Sequence, residues 1–148
     1  MHLQLSGDIT LLARFHELPP KMQKKYGRRG VAKAARLMVK SAKAKCPVRT
    51  GQLKKSLGFR PRTYKTGVFA VIGPRGGFQT VGGDGRKHDP KKIAHLVEMG
   101  HGGPHAAEAK PFLRPAMYET ANLCKSIIAA EIELGLQEMG RAFTPGTY

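Results

Sequence analysis

His95, His101 and His105 lie close together with Glu98 between the first two, and imidazole and carboxylate groups in such proximity are the raw material of a metal site. A helical zinc pair needs two His on one helix face, as in His-Glu-x-x-His. Here His101 lies beyond an expected helix stop at Gly100, and His105 follows the break Gly102-Gly103-Pro104. These histidines therefore read as solvated loop residues. The glycines of Gly73-Pro74-Arg75-Gly76-Gly77 and Val81-Gly82-Gly83-Asp84-Gly85 suggest a phosphate cradle, but the Gly-Lys-Ser/Thr ending that holds phosphate and magnesium is missing. Cys46 sits among basic residues that would lower a thiol pKa, yet no base is assigned to it, and there is no Gly-x-Ser-x-Gly elbow. No catalytic, cofactor or metal residue is expected, and the chain reads as a non-enzyme.

The chemistry that does stand out is electrostatic. Between Leu18 and Gly83 there are seventeen Lys and Arg and no Asp or Glu, so the net charge of +16 is concentrated on one stretch. Such a surface attracts nucleic acid, an acidic protein or an anionic membrane. Arg60-Pro61-Arg62 lacks the flanks of a minor-groove hook, and Phe59 with Tyr64 does not make a stacking platform. Contact with DNA is thus expected to run through phosphates, to be sensitive to salt and to be weakly selective.

The elements that must carry this charge can be read from spacing. Asp8 can cap a first short helix with Ile9, Leu12 and Ala13 on one face, ending near Pro19-Pro20. Pro20 then suits the opening turn of a long helix to about Lys45, weakened at Gly27 and Gly30 by up to ~1 kcal/mol each. Val31, Ala35, Met38 and Ala42 share one face of it. Arg29, Lys33, Arg36, Lys40 and Lys43 form a stripe on the opposite side, with no acid at i±3 or i±4 to neutralise it. Thr50 is expected to cap a turn through Gln52, Leu53 and Ser56. Leu57 to Tyr64 and Val68 to Ile72 follow as a β-hairpin around Lys65-Thr66-Gly67.

Residues 73–90 hold six glycines and two prolines and read as a long flexible loop. Ile93 to Val97 make a short helix stopped by Gly100, and Pro115 suits the first turn of a C-terminal helix. The apolar face of that helix is Leu113, Met117, Ala121, Cys124, Ile127 and Ile128, and Glu119, Glu131, Glu133 and Glu138 make the rest of it acidic. The fold class is therefore α+β: a long basic helix and a C-terminal helix packed on a small antiparallel hairpin, with a long Gly-rich loop. At 148 residues and 41 % apolar content the chain fits a single domain over 1–148, with an N-terminal lead and short helix at 1–18 and a mobile tail at 141–148. Cys46 and Cys124 read as free thiols. No secretory signal and no run of the roughly 20 apolar residues that span a membrane is visible, so a cytoplasmic protein without membrane contact is expected.

The order of motifs is familiar. A basic helix precedes Ala44-Lys45-Cys46-Pro47-Val48-Arg49-Thr50-Gly51-Gln52-Leu53-Lys54-Lys55-Ser56-Leu57. A hairpin ending at Val71-Ile72-Gly73 is followed by Ile93-Ala94-His95-Leu96-Val97-Glu98-Met99-Gly100 and by Lys110-Pro111-Phe112-Leu113-Arg114-Pro115-Ala116. Over roughly residues 20–140 this resembles the neck or tail-completion proteins of tailed bacteriophages, the head–tail joining family that includes minor tail protein Z-like proteins. Ile93 and His101 stand where that family usually has an aromatic residue and a Thr.

The resemblance implies a non-enzymatic virion protein, made in the host cytoplasm, that forms a homo-oligomeric ring at the head–tail junction. Its neighbours would be the head connector or head-closure protein and the tail terminator or tail tube, with double-stranded DNA passing nonspecifically through the lumen. Opposed basic and acidic helices would supply unlike surfaces for a head-to-tail ring. Pro47, Arg49, Thr50, Gly51, Leu53, Ser56, Glu98, Gly100, Pro111, Phe112, Leu113, Arg114 and Pro115 carry the motif and are expected to be mainly structural. Glu98 is expected to pair with Arg49 or Arg114, while Phe112 and Leu113 anchor the last helix. The basic stripe is the expected face for DNA or a partner. The alternative reading is a small nonspecific DNA-binding protein acting free in the cytoplasm.

Overall fold

The computed structural model describes residues 13, 15–64, 67–81, 87–104 and 106–142. In chain order these form α1 (Pro20–Lys45), α2 (Gln52–Ser56), β1 (Leu57–Tyr64), β2 (Gly67–Pro74), β3 (Thr80–Val81), β4 (Lys87–His88), α3 (Pro90–Met99) and α4 (Leu113–Ala142). The protein is α+β, with β1 and β2 paired as an antiparallel hairpin. Most of the expected first helix, the Lys65-Thr66 turn, His105 and the end of the chain from 143 lie outside the described residues; Ala13 and residues 15–17 are helical.

The chain divides into two compact units. The first comprises the described residues of 1–34, 61–70 and 122–148. It opens with a turn in which Met22 N–H donates to Pro19 O at 2.8 Å and the Gln23 amide donates to Leu18 O at 2.7 Å, leaving Pro20 at the start of α1 where its missing N–H costs nothing. Leu18, Tyr26, Ala34, Cys124 and Ile132 are buried here. Gly30 does more than weaken its helix: a Cβ there would stand 3.3 Å from the Ile128 backbone, and one at Gly135 would stand 2.7 Å from the Tyr26 ring. Small residues on both helices thus let α1 and α4 approach closely in this unit.

The second unit, residues 35–60 and 71–121, is centred on Ala42, Cys46, Leu53, Leu57, Ala94, Phe112 and Ala116, with Val97 and Leu113 against them. Cys46 and Cys124 are both buried. Burial pushes the Cys46 thiol pKa up, and the charge of Lys54 only partly opposes this. The glycine-rich segment is not wholly a loop, because β3 and β4 pair antiparallel with Thr80 opposite His88 and Val81 opposite Lys87. Two-residue strands leave no periodic trace in a sequence, and 82–86 lie outside the described residues.

Two faces are centred differently from the sequence expectation. On α1 the buried residues are Tyr26, Gly27, Gly30, Ala34, Ala35, Val39 and Ala42, with Val31 and Met38 at the margin. On α4 they are Ala116, Thr120, Cys124, Glu131, Ile132 and Gly135. Polar residues occupy inward positions of α4, which displaces the apparent apolar stripe. Thr120 is satisfied by donating its hydroxyl to Ala116 O at 2.7 Å, and Glu131 is charge-paired with cations of α1, of which Lys33 donates a hydrogen bond.

Candidate functional site

The sequence directs attention to a basic stripe on α1 and to the motif residues. Of the stripe, Arg29, Lys33, Arg36 and Lys40 are exposed and Lys43 is half-buried. Its charge is less free than the sequence suggests. In the first unit Glu131 lies buried with 2 % of its side chain exposed, and Lys33 Nζ donates to its Oε1. Arg29 Nε sits 3.3 Å from Glu131 Oε2, out of line for a hydrogen bond, so this second contact is coulombic. Lys25 pairs with Glu138 at 3.0 Å, so α1 and α4 run antiparallel in this unit.

In the second unit Glu119 accepts from Lys45 and, at 2.8 Å, from the Ser41 hydroxyl. These hydrogen bonds, the Lys45 one foremost, hold its carboxyl below the usual range. The acids of α4 thus serve α1 of the same chain. The sequence carried this signal in the order of the charges, which descend along α4 as their partners ascend along α1. Seeking acids only at i±3 and i±4 missed it.

The motif residues converge in the second unit. Glu98, near the end of α3, accepts the backbone N–H groups of Phe112 at 2.9 Å, Leu113 at 3.0 Å and Arg114 at 2.9 Å. The first turn of any helix has N–H groups without intrahelical acceptors, and the positive end of its dipole favours an anion. Glu98 supplies both acceptor and charge for α4. Burial pushes its pKa up, but the three hydrogen bonds and the charge of Arg114 outweigh this and hold the carboxyl below its ordinary value. The expected side-chain pairing with Arg49 or Arg114 is thereby corrected. The partner is the helix terminus, and Arg114 contributes a backbone N–H and a nearby charge.

Around this lock Lys110 N–H donates to Val97 O at 2.8 Å, and His101 and Ala107 exchange both backbone hydrogen bonds as an isolated bridge. Gly100 makes the bend possible. Its φ is +73° with ψ 173°, and a Cβ there would lie 2.8 Å from Ala109 N and 2.9 Å from Ala107 O. Pro111 is exposed and Pro115 half-buried, while Phe112 is fully buried and anchors α4 in the core with Leu113 beside it. The motif Val97-Glu98-Met99-Gly100 and the motif Lys110-Pro111-Phe112-Leu113-Arg114 are two halves of one joint.

The motif that opens α2 is also mainly architectural. Gly51, not Thr50, is the N-cap, at φ +73° in the left-handed region, and the Thr50 hydroxyl accepts from Gln52 N–H only at 3.5 Å. Leu53 and Ser56 are buried, with the Ser56 hydroxyl donating to Leu53 O at 2.7 Å. Pro47 is half-buried, whereas Val48, Arg49 and Thr50 are exposed on the wall of an open, largely apolar groove that Ile93, Leu96 and His101 also line. Asp89, which spacing did not single out, caps α3 by accepting from Lys91 N–H at 3.0 Å. Among the described residues no cluster of His, Cys, Asp and Glu is arranged to hold a metal, and no helix is long and apolar enough to cross a membrane.

The motif residues are engaged in the architecture of a small α+β protein whose sequence carries far more cations than acids. Residues 9–100 match the model of the HK97-gp10-like family, described as "Bacteriophage HK97-gp10, putative tail-component". The match covers more than half of the 148 residues, from before α1 through α3, and the chain belongs to this family of phage tail components. Neither the curated proteins nor the solved structures gave a match.

Proposed function

We propose that the chain is a non-enzymatic neck protein that closes into a ring at the junction of phage head and tail, with double-stranded DNA passing through the ring. The observation that supports this reading is the pairing of tail-component family membership with an acid-free stretch from Leu18 to Gly83. A protein that bounds a DNA passage benefits from positive charge that its own chain leaves unneutralised. The neighbours in this reading are the head connector or head-closure protein on one side and the tail terminator or tail tube on the other. The protein would gather in the host cytoplasm and end in the virion.

The opposed charges of α1 and α4 do not supply the ring contact, since Glu119, Glu131 and Glu138 face cations of their own chain. Exposed apolar side chains are the better candidates, among them Val48 in the second unit and Leu123 and Leu134 on α4 in the first. A ring needs two unlike patches per copy, because a heterologous contact closes by rotation.

The test is the mass of the purified protein by light scattering, alone and mixed with tails or with tail-less heads, followed by electron microscopy. A ring, or density at one end of the tail or at the head vertex, is the expected result. A protein that ignores both particles and coats DNA is instead a free nonspecific DNA-binding protein. Substituting Lys40 and Lys43 tests the α1 stripe without exposing Glu131, which substituting Arg29 and Lys33 would leave unpaired.

A further inference from the structure

The cations that stay free of carboxylates are not equally prepared to hold an anion. Arg75 follows β2 and is tied to the start of β1 by its N–H, which donates to Ser56 O at 2.9 Å. Its side chain lies across Gly58, where a Cβ would stand 2.5 Å from Nε and 2.8 Å from Cδ. The guanidinium also sits over the Phe78 ring, 5.6 Å from the centroid. The backbone bond, the open space over Gly58 and the aromatic ring together favour one placement of this exposed charge.

Arg60 is two residues beyond Gly58 and therefore on the same face of β1, roughly 7 Å along the strand. It is exposed, as is Val71 on β2. The opposite face of β1 carries Phe59, which is covered by Arg36 at 5.8 Å from the ring centroid. No carboxylate pairs with Arg60 or Arg75 among the described residues, in contrast with Lys45 in the same unit.

We propose that Arg60 and Arg75, on the Gly58 face of β1, form a phosphate-contacting surface for duplex DNA. The inference rests on the reading of the chain as one that meets the genome, and it locates that meeting on the hairpin rather than on α1. Guanidinium groups suit phosphate because their N–H groups form a planar fork, and one stacked on an aromatic ring keeps that fork free. Nothing on this face reads a base edge, so the contact is independent of sequence.

The experiment measures the affinity of the purified protein for a random-sequence duplex as a function of salt. Each phosphate contact adds about 0.9 to the slope of log K against log salt. Arg60→Gln with Arg75→Gln should reduce the slope by about 2, a loss of roughly tenfold or more in the ratio of affinities between 50 and 200 mM salt. Arg75→Gln alone, which removes the stacked guanidinium, should reduce the slope by about 1. Lys54→Gln with Lys55→Gln removes the same formal charge from α2 and serves as control; unchanged thermal melting shows that each variant is folded.

The proposal is overturned if the lysine control lowers the slope as much as the arginine pair, or if Arg75→Gln behaves as wild type. It is also overturned if the arginine pair leaves DNA affinity intact but abolishes docking to purified heads or tails, which would give this face to a protein partner. A wild-type protein with no salt-dependent affinity for DNA would remove the DNA-passage reading as well.

Discussion

Glu98 concentrates in one side chain what most helices spread over several caps, and removing it has a calculable cost. Three N–H groups at the start of α4 lose their acceptor in Glu98→Ala, and the positive end of a long helix loses its counter-charge. Losing a helix cap costs about 1 kcal/mol, and hydrogen bonds to charged groups are worth about 1.5–3 kcal/mol. The bonds from Phe112 and Leu113 are partly buried whereas that from Arg114 is exposed, so the three do not count equally. The net loss for Glu98→Ala is roughly 3 kcal/mol, whereas Glu98→Gln keeps an acceptor oxygen without the charge and loses roughly 1 kcal/mol.

In a chain of this length 1 kcal/mol moves the melting temperature by about 2–4 °C, so calorimetry at neutral pH should show a fall of roughly 6–12 °C for Ala and a few degrees for Gln. The sign of the pH dependence follows from the lowered pKa of Glu98. Its stabilisation is complete above the usual glutamate value and disappears as pH falls through the lower folded value. Wild type and Glu98→Gln should therefore converge in stability in acid. Equal melting temperatures at pH 7, or a difference that persists unchanged at low pH, would refute the assignment of Glu98 as an ionised helix-terminus acceptor.

Gly100 and Gly51 share a φ of +73° but not their surroundings. Gly51→Ala meets open space and should cost about 1–2 kcal/mol by urea denaturation, while Gly100→Ala, driven into Ala107 and Ala109, should cost roughly 3 kcal/mol or more. The Glu131 cluster should respond asymmetrically: Arg29→Met with Lys33→Met strands a buried carboxylate and should cost about 3–5 kcal/mol, whereas Glu131→Gln leaves two half-exposed cations and should cost distinctly less. Neither cysteine should react with a thiol reagent in the native protein at pH 7–8, and both should react in urea. Because burial raises the Cys46 pKa, its neutral thiol favours the fold below the unfolded value near 8.5, and stability should decline as pH rises beyond it.

What was legible in the sequence is what local rules govern. Pro20 and Pro47 bound α1, β1 spans Leu57–Tyr64 as expected, and Pro115 marks the first turn of α4. What was not legible depends on partners distant in sequence. Glu131 looks like a solvent-facing acid until α1 is laid beside it, and the apolar face of α4 looks rotated because Thr120 and Glu131 occupy inward positions. Glu98 could be recognised as structural, but a carboxylate spacing identifies neither a side-chain cation nor a helix terminus as its partner. Gly58 gave no signal at all; its place beneath the Arg75 side chain is seen only in the structure.

The disposition of the acids bears on how copies of this chain could come together. Ten Asp and Glu oppose twenty-six Lys and Arg, and Asp89, Glu98, Glu119, Glu131 and Glu138 are all engaged within the chain. The other acids are far outnumbered by the cations of a neighbouring copy. Two copies at low salt therefore repel over about a Debye length, ~10 Å at 0.1 M, before any apolar patch can make contact. Repulsion of that range is relieved either by screening or by a polyanion lying between the basic faces. In the ring proposed above, copies would then close more readily around DNA or against an acidic neighbour than alone.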